Sequence, residues 1–248
     1  MSGEMVEVKT RDGVADAYLA RPADAAGPLP AVLLLGDIFG LRPQIERMAD
    51  RIAARGYVVL APNVFYRAGR APLIELDGLA DPERRGAIFA QARPLMKDLT
   101  DELIVADGDA YLSFLEEVGR GPVAISGYCM GGRLGWRIAA AYPERVAVLA
   151  GFHTGGLVTE DENSPHLSAG EIGAEVYLGH ADNDKSMTAE NIAAVEDALD
   201  EVGATYTSKL YEGAAHGYTM ADAAAYDEAA AELHFDELFA LLDRTVAG

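Results

Sequence analysis

The chain holds one cysteine, set in Gly127-Tyr128-Cys129-Met130-Gly131-Gly132. The apolar run Pro122-Val123-Ala124-Ile125-Ser126 leads in, and Arg133-Leu134-Gly135-Trp136-Arg137-Ile138 leads out. A lone cysteine in an apolar stretch commonly behaves as a small buried hydrophobe. Here, however, a predicted strand runs into a turn crowded with glycine and then into a helix. That is the form of the nucleophile elbow G-x-S-x-G, with cysteine in the serine position. Glycines beside such a turn make room for strained backbone and for the close approach of strand and helix. A thiol at a helix N-terminus meets partial positive charge, which favours thiolate and a developing oxyanion. The chemistry this predicts is acyl transfer through sulfur.

A sulfur nucleophile needs a base, and the base needs a group to orient it. Residues 175–179 read as a short strand running into His180-Ala181-Asp182-Asn183-Asp184. Residues 206–211 alternate like a strand and run into Glu212-Gly213-Ala214-Ala215-His216-Gly217. Each would deliver a titratable group just past a strand's carboxyl end, where open α/β sheets place their sites. In hydrolases of this type the chain order is nucleophile, acid, histidine. His216 sits among small residues and is free to project, so it is the candidate base. Asp182 and Asp184 both fit the acid. His166, His180 and His234 read as surface or packing residues, whereas His153, just after the predicted strand 147–151, falls at the pocket. No histidine pair has H-x-x-x-H spacing, so no metal is expected.

The elements that must hold these residues alternate along the chain. Residues 6–10 and 14–20 flank the turn Arg11-Asp12-Gly13 and read as an antiparallel hairpin at a sheet edge. Residues 31–35 are wholly apolar, as in a central parallel strand. A helix over 44–55 ends at Gly56, and the strand 57–61 stops at Pro62-Asn63. Residues 64–82 are irregular and rich in proline and glycine, and are expected to fold over the active edge as a flap. Further helices are expected over most of 88–117, over 189–201, and over 223–242 as a packing helix without chemistry. Strands alternating with helices predict one α/β domain over 1–248, a mostly parallel sheet covered on both faces.

Composition narrows the partners. The formal charge of −20, from 20 basic and 40 acidic residues, argues against nucleic acid or an anionic membrane. No apolar run approaches the roughly 18 residues of a membrane span. The N-terminus lacks a signal-peptide pattern, and a single cysteine suits a reducing compartment, so a cytoplasmic protein is expected, as a monomer or small homo-oligomer.

Four blocks in order give the chain a resemblance to the dienelactone hydrolase family, the cysteine-nucleophile branch of the α/β-hydrolases. They are Leu35-Gly36-Asp37-Ile38-Phe39-Gly40-Leu41, the Cys129 block, Ala181-Asp182-Asn183-Asp184 and Gly213-Ala214-Ala215-His216-Gly217. The resemblance implies an α/β-hydrolase fold and cleavage of an ester or lactone by Cys129, His216 and an aspartate through a thioester, without metal or organic cofactor. In the family a proline opens the next helix four residues after the acid. Thr188 keeps that register from Asp184 and can cap the helix, which favours Asp184 and leaves Asp182 as the alternative.

The same resemblance assigns the oxyanion-hole amides to Ile38 and Met130. It puts Asp37 where the family carries a glutamate against the resting thiol, so that Asp37 either meets the thiol or only caps its loop, and Phe39, Tyr128, His153, Met220 and Arg84 are expected around the pocket. Met220 stands four residues after His216, where dienelactone enzymes carry a carboxylate-gripping arginine. Arg84 or Arg85 could stand in for a second such arginine, or both could belong to a solvated helix turn. A neutral ester or lactone therefore suits the sequence at least as well as an acidic dienelactone. Two other readings remain: a carboxylesterase or thioesterase using the same residues, and a silent member of the fold that binds a ligand or senses oxidants through Cys129.

Overall fold

A computed structural model of the chain describes residues 3–24, 27–79 and 81–247. The hairpin is β1 (Glu4–Thr10) and β2 (Gly13–Ala20), paired antiparallel. Then follow β3 (Pro30–Leu35), α1 (Pro43–Ala53), β4 (Val58–Pro62), α2 (Pro82–Asp98), α3 (Asp101–Val118) and β5 (Arg120–Tyr128). The second half holds α4 (Met130–Ala141), β6 (Val146–Phe152), β7 (Glu175–Ala181), α5 (Ala189–Glu201), β8 (Tyr206–Tyr211) and α6 (Glu228–Thr245). A 3-10 turn at Pro165–Glu171 lies between β6 and β7.

The eight strands form one sheet in the order β1-β2-β4-β3-β5-β6-β7-β8. From β4 through β8 every neighbouring pair is parallel, and β2 joins β4 antiparallel. Ala31 to Leu35 of β3 have no solvent exposure, because side chains alternate between two covered faces. Leu33 and Leu35 pack with Ile104 and Leu112 of α3 and Trp136 and Ile138 of α4. Val32 and Leu34 pack on the opposite side with Ile45 and Ile52 of α1 and Leu238 and Leu242 of α6. Each such side chain contributes about 1.5–3 kcal/mol on burial, and together they fix the register that sets the strands' carboxyl ends side by side.

Two expected elements end elsewhere. The region expected to be mostly helical over 88–117 begins earlier, at Pro82, and is two helices separated by Leu99 and Thr100, with Thr100 capping α3 through Leu103 N. The final helix begins only at Glu228, because the Asp227 side chain accepts from Ala230 N and caps it there. Residues 219–227 are instead a folded loop, and they carry part of the site. The irregular segment 64–82 has no regular element before Pro82, and Ala80 within it lies outside the described residues. Ile74 and Leu79 of this segment pack with Ile88 and Ala92 of α2 onto Phe39.

Candidate active site

β5 ends at Tyr128 and α4 starts at Met130, so Cys129 alone makes the turn. Its backbone is at φ 54 and ψ −114, a conformation that L-residues adopt only where the surroundings enforce it. The glycines are what enforce it here. A β-carbon at Gly131 would stand 2.1 Å from the Leu35 carbonyl oxygen, and one at Gly127 would stand 2.4 Å from the Gly131 carbonyl oxygen. Both clashes are with backbone, so neither can relax by a side-chain shift. Cys129 N donates to Phe152 O at 3.0 Å, tying the elbow to β6. Met130 is the first helical residue of α4, and its amide is among the helix-terminal N–H groups without an intrahelical acceptor.

The loop after β8 brings His216 to the sulfur. Its Nε2 is 3.0 Å from Cys129 Sγ, and its Nδ1 is 2.6 Å from Asp184 Oδ2. The other Asp184 oxygen accepts from Ser186 Oγ at 2.7 Å and Ser186 N at 2.8 Å. Burial opposes protonation of His216, but the bonds to Asp184 and Cys129 outweigh it and push its pKa up to about 10. Burial likewise works against the Asp184 carboxylate. The bonds from His216 and Ser186 prevail and hold it below the usual carboxylate range. Thr188 caps α5 by accepting from Asn191 N. Asp182 points elsewhere: its Oδ2 accepts from Gly213 N, and its own N–H donates to Ala214 O. It anchors the histidine loop and does not touch the imidazole.

His153 follows β6 with φ 39 and is buried against the ring of His216, at 5.2 Å between centroids. Burial drives its pKa well below the usual histidine value, so it stays neutral, with Nε2 2.7 Å from Thr219 Oγ1. A small cavity of about 100 Å³ opens between Cys129, His153 and His216. Its walls are mostly apolar, from Ile38 and Phe39 of the loop after β3, Leu79, Phe89 of α2, Met220 and Ala223 to Ala225, with Asp37 and Arg85 as the charged residues that line it. Phe39 and Phe89 meet edge to face at 5.1 Å.

Three sequence expectations require correction, and of the two readings of Asp37 the loop cap is the one the structure shows. Asp37 lines the cavity but does not bond to the thiol. Its two oxygens accept a forked pair from Arg42, at 2.7 and 3.0 Å, and Oδ1 also accepts from Phe39 N. Tyr128 does not line the pocket. It is fully buried on the α6 side of the sheet, stacked on Phe152 with its hydroxyl 3.2 Å from His234 Nε2, because strand alternation turns it away from Cys129. Arg84 lies against Gly78, and it is Arg85, one position along α2, that reaches the cavity rim. The stretch 223–227, expected as inert helix, is unwound, and Ala223 to Ala225 face the cavity.

Sequence reasoning missed Ser186, Arg42 and Asp222 altogether. A serine two residues after the acid carries a weak signal. The other two carry none, since they lie 180 positions apart and meet only through folding.

The comparisons agree with this architecture. The dienelactone hydrolase family matches residues 15–246. A protein of Escherichia coli K12 provisionally named carboxymethylenebutenolidase is 30% identical over 224 residues, covering 87% of this chain and 77% of its own. Carboxymethylenebutenolidase 1 of Cupriavidus pinatubonensis is 32% identical over 56% of this chain and 57% of its own. Among solved structures, a provisionally assigned dienelactone hydrolase from Klebsiella pneumoniae superposes with a TM-score of 0.85 at 25% identity, over 98% of both chains. With an eight-stranded α/β sheet and matches spanning nearly its whole length, this chain belongs to the dienelactone hydrolase family, hydrolases of carboxylic ester and lactone bonds.

Proposed function

We propose that the chain hydrolyses small, uncharged esters or lactones through a Cys129–His216–Asp184 triad and a thioester acyl-enzyme. The observation that carries this reading is the unbroken hydrogen-bonded line from Asp184 through His216 to Cys129 Sγ, at 2.6 and 3.0 Å, ending on a strained elbow. His216 Nε2 stands 3.0 Å from the sulfur, where the imidazole holds the thiol proton as the sulfur attacks. The thiolate attacks the carbonyl, and the amides of Ile38 and Met130 receive the oxyanion. Such donors commonly contribute about 3–4 kcal/mol each. The imidazolium then protonates the leaving oxygen, which in a lactone stays attached as a hydroxyl of the acyl chain.

Acylation discharges the sulfur. Two of the influences that raise the His216 pKa come from Cys129, and both weaken once the sulfur is acylated. The imidazole can then take a proton from the water that hydrolyses the thioester, while Asp184 keeps Nδ1 as the donor. An uncharged substrate is favoured by the apolar walls and by Met220, which occupies the wall where an arginine would grip a carboxylate. The segment 64–82 and α2 close the cavity by way of Leu79 and Phe89, and they are where specificity resides.

The test is intact-mass spectrometry of the protein mixed with p-nitrophenyl acetate, read beside phenolate release. The expected result is a burst with one acetyl increment on the Cys129 peptide, followed by turnover. Phenolate release without any adduct on Cys129 would overturn the thioester route.

A further inference from the structure

Arg42 is the N-cap residue of α1, and its guanidinium is 3% exposed beside the cavity. Its fork to Asp37 is one of two. On its other side Nε donates to Asp222 Oδ2 at 2.7 Å and Nη2 to Asp222 Oδ1 at 3.1 Å. Nη1 also reaches Gly40 O at 3.2 Å, and Met220 Sδ lies 3.7 Å from Nη2. One side chain thus joins the loop that follows β3 to the loop that follows β8. The first loop bears the Ile38 amide, and the second bears His216 and Met220.

The turn around Ile38 is fixed from the same point. Asp37 Oδ1 accepts from Phe39 N, and Asp37 O accepts from Gly40 N, both at 3.0 Å. These bonds set the peptide plane between Asp37 and Ile38, and so set the direction of the Ile38 N–H. Arg42 holds the carboxylate that organises the turn. It also offsets one of two carboxylates that would otherwise stand close to a developing oxyanion. An arginine suits this task because its planar fork can grip two carboxylates at once and cannot lose its proton.

Resting on the proposed thioester reading, we infer that Arg42 is a positioning residue for the oxyanion hole, clasping the Ile38 turn to the His216 loop through Asp37 and Asp222. Arg42 touches no reacting atom and is not required to make the thiolate. The clasp therefore matters for attack on a carbonyl, and it does not matter for a reaction of the same sulfur that develops no oxyanion.

That distinction supplies the experiment. The acylation rate with p-nitrophenyl acetate and the alkylation rate of Cys129 with iodoacetamide are measured in the wild-type protein and in Arg42→Gln, Arg42→Lys and Asp222→Asn. The expected result is a fall in acylation of about 100-fold for Arg42→Gln, since a displacement of about 1 Å at a catalytic group has that order of effect. A fall of about tenfold is expected for Arg42→Lys and about threefold for Asp222→Asn, with alkylation within twofold of wild type throughout. Should Arg42→Gln fail to fold, the split between the two reactions is read from the other two variants. Parallel losses in acylation and alkylation would overturn the inference, because they would mean general disorder at Cys129 or release of Asp37 onto the thiol. Unchanged acylation would overturn it as well. A wild-type protein that is alkylated but never acylated would instead count against the thioester reading itself.

Discussion

His216 and Arg42 are both cationic groups held by aspartates at the carboxyl edge of one sheet, yet they are built for opposite purposes. His216 is half-buried, its partner Asp184 has one oxygen engaged by Ser186, and its second nitrogen faces the sulfur. Arg42 is sealed and meets carboxylates on two sides. The imidazole can release its proton within an accessible pH range, and the guanidinium cannot. In the proposed reading the first arrangement moves charge during a reaction, whereas the second fixes two loops so that the movement happens in one place. The same contrast separates two aspartates of a single loop. Asp184 faces the imidazole, and Asp182, two residues earlier, holds the backbone of the loop that carries it.

The contrast breaks most completely at the sulfur. Cys129→Ala is expected to abolish the acetyl adduct and to lower steady-state turnover of p-nitrophenyl acetate by at least about 10³-fold. Cys129→Ser should leave a feeble enzyme, because an alkoxide is harder to form in a site set for sulfur. Asp184→Asn should cost about 10³- to 10⁴-fold in kcat through the wrong imidazole tautomer. Asp182→Asn should cost about tenfold or less in kcat and show its effect mainly as a lower Tm. Equal kcat losses in the two asparagine variants would erase the division of roles between them.

On the other side of the comparison, Arg42→Met leaves Asp37 buried without its cation. It should lower unfolding stability by about 3–5 kcal/mol in denaturant titrations, the usual cost of breaking a buried pair by removing one partner. His216→Gln should be much milder, because its group is partly open to solvent.

The stability that His216 contributes has a definite pH window. Its folded pKa is raised from the usual 6.5 to about 10. The contribution is therefore fully present below about 6.5 and is lost as the pH rises through about 10. The Tm difference between wild type and His216→Gln should shrink across that interval. For esters with alkoxide leaving groups, which need the imidazolium proton, acylation should fall over the same alkaline limb. In Asp184→Asn the limb should move to lower pH, since burial still opposes the charge and the main opposing bond is gone. Smallest of all, Arg85→Gln at the cavity rim should raise KM for a carboxylate-bearing lactone about threefold more than for a neutral one, in keeping with an exposed ion pair.

Much of this was legible in the chain. The elbow was readable because its glycines serve a local steric need, and each β-carbon clash there involves backbone close by. The alternation of strands and helices was readable from periodicity, and the start of α5 from the capping threonine at 188. Tyr128 was misread, and Asp37 and the choice between Arg84 and Arg85 were left open, for physical reasons of a different kind. The reach of Asp37 was judged against the thiol without knowing that a guanidinium five residues away would take both its oxygens. Tyr128 is next to Cys129 in sequence, but a strand sends successive side chains to opposite faces. Arg84 and Arg85 differ by about a hundred degrees around a helix, and only the packing of α2 decides which one meets the cavity.

By itself, then, the sequence determined the sheet and the elbow, and it set a cysteine, a short acidic loop and a histidine in the chain order of α/β-hydrolases, while the resemblance of four blocks gave the family. The sheet and the elbow follow from local rules: hydrophobic period and turn sterics. The tertiary structure decided which aspartate faces His216, which arginine reaches the cavity, and that residues 42 and 222 meet at all. Those outcomes depend on loops from β3 and β8 converging above a common sheet edge, and on burial converting such meetings into strong, directional bonds. Neither condition is written in any short stretch of the chain.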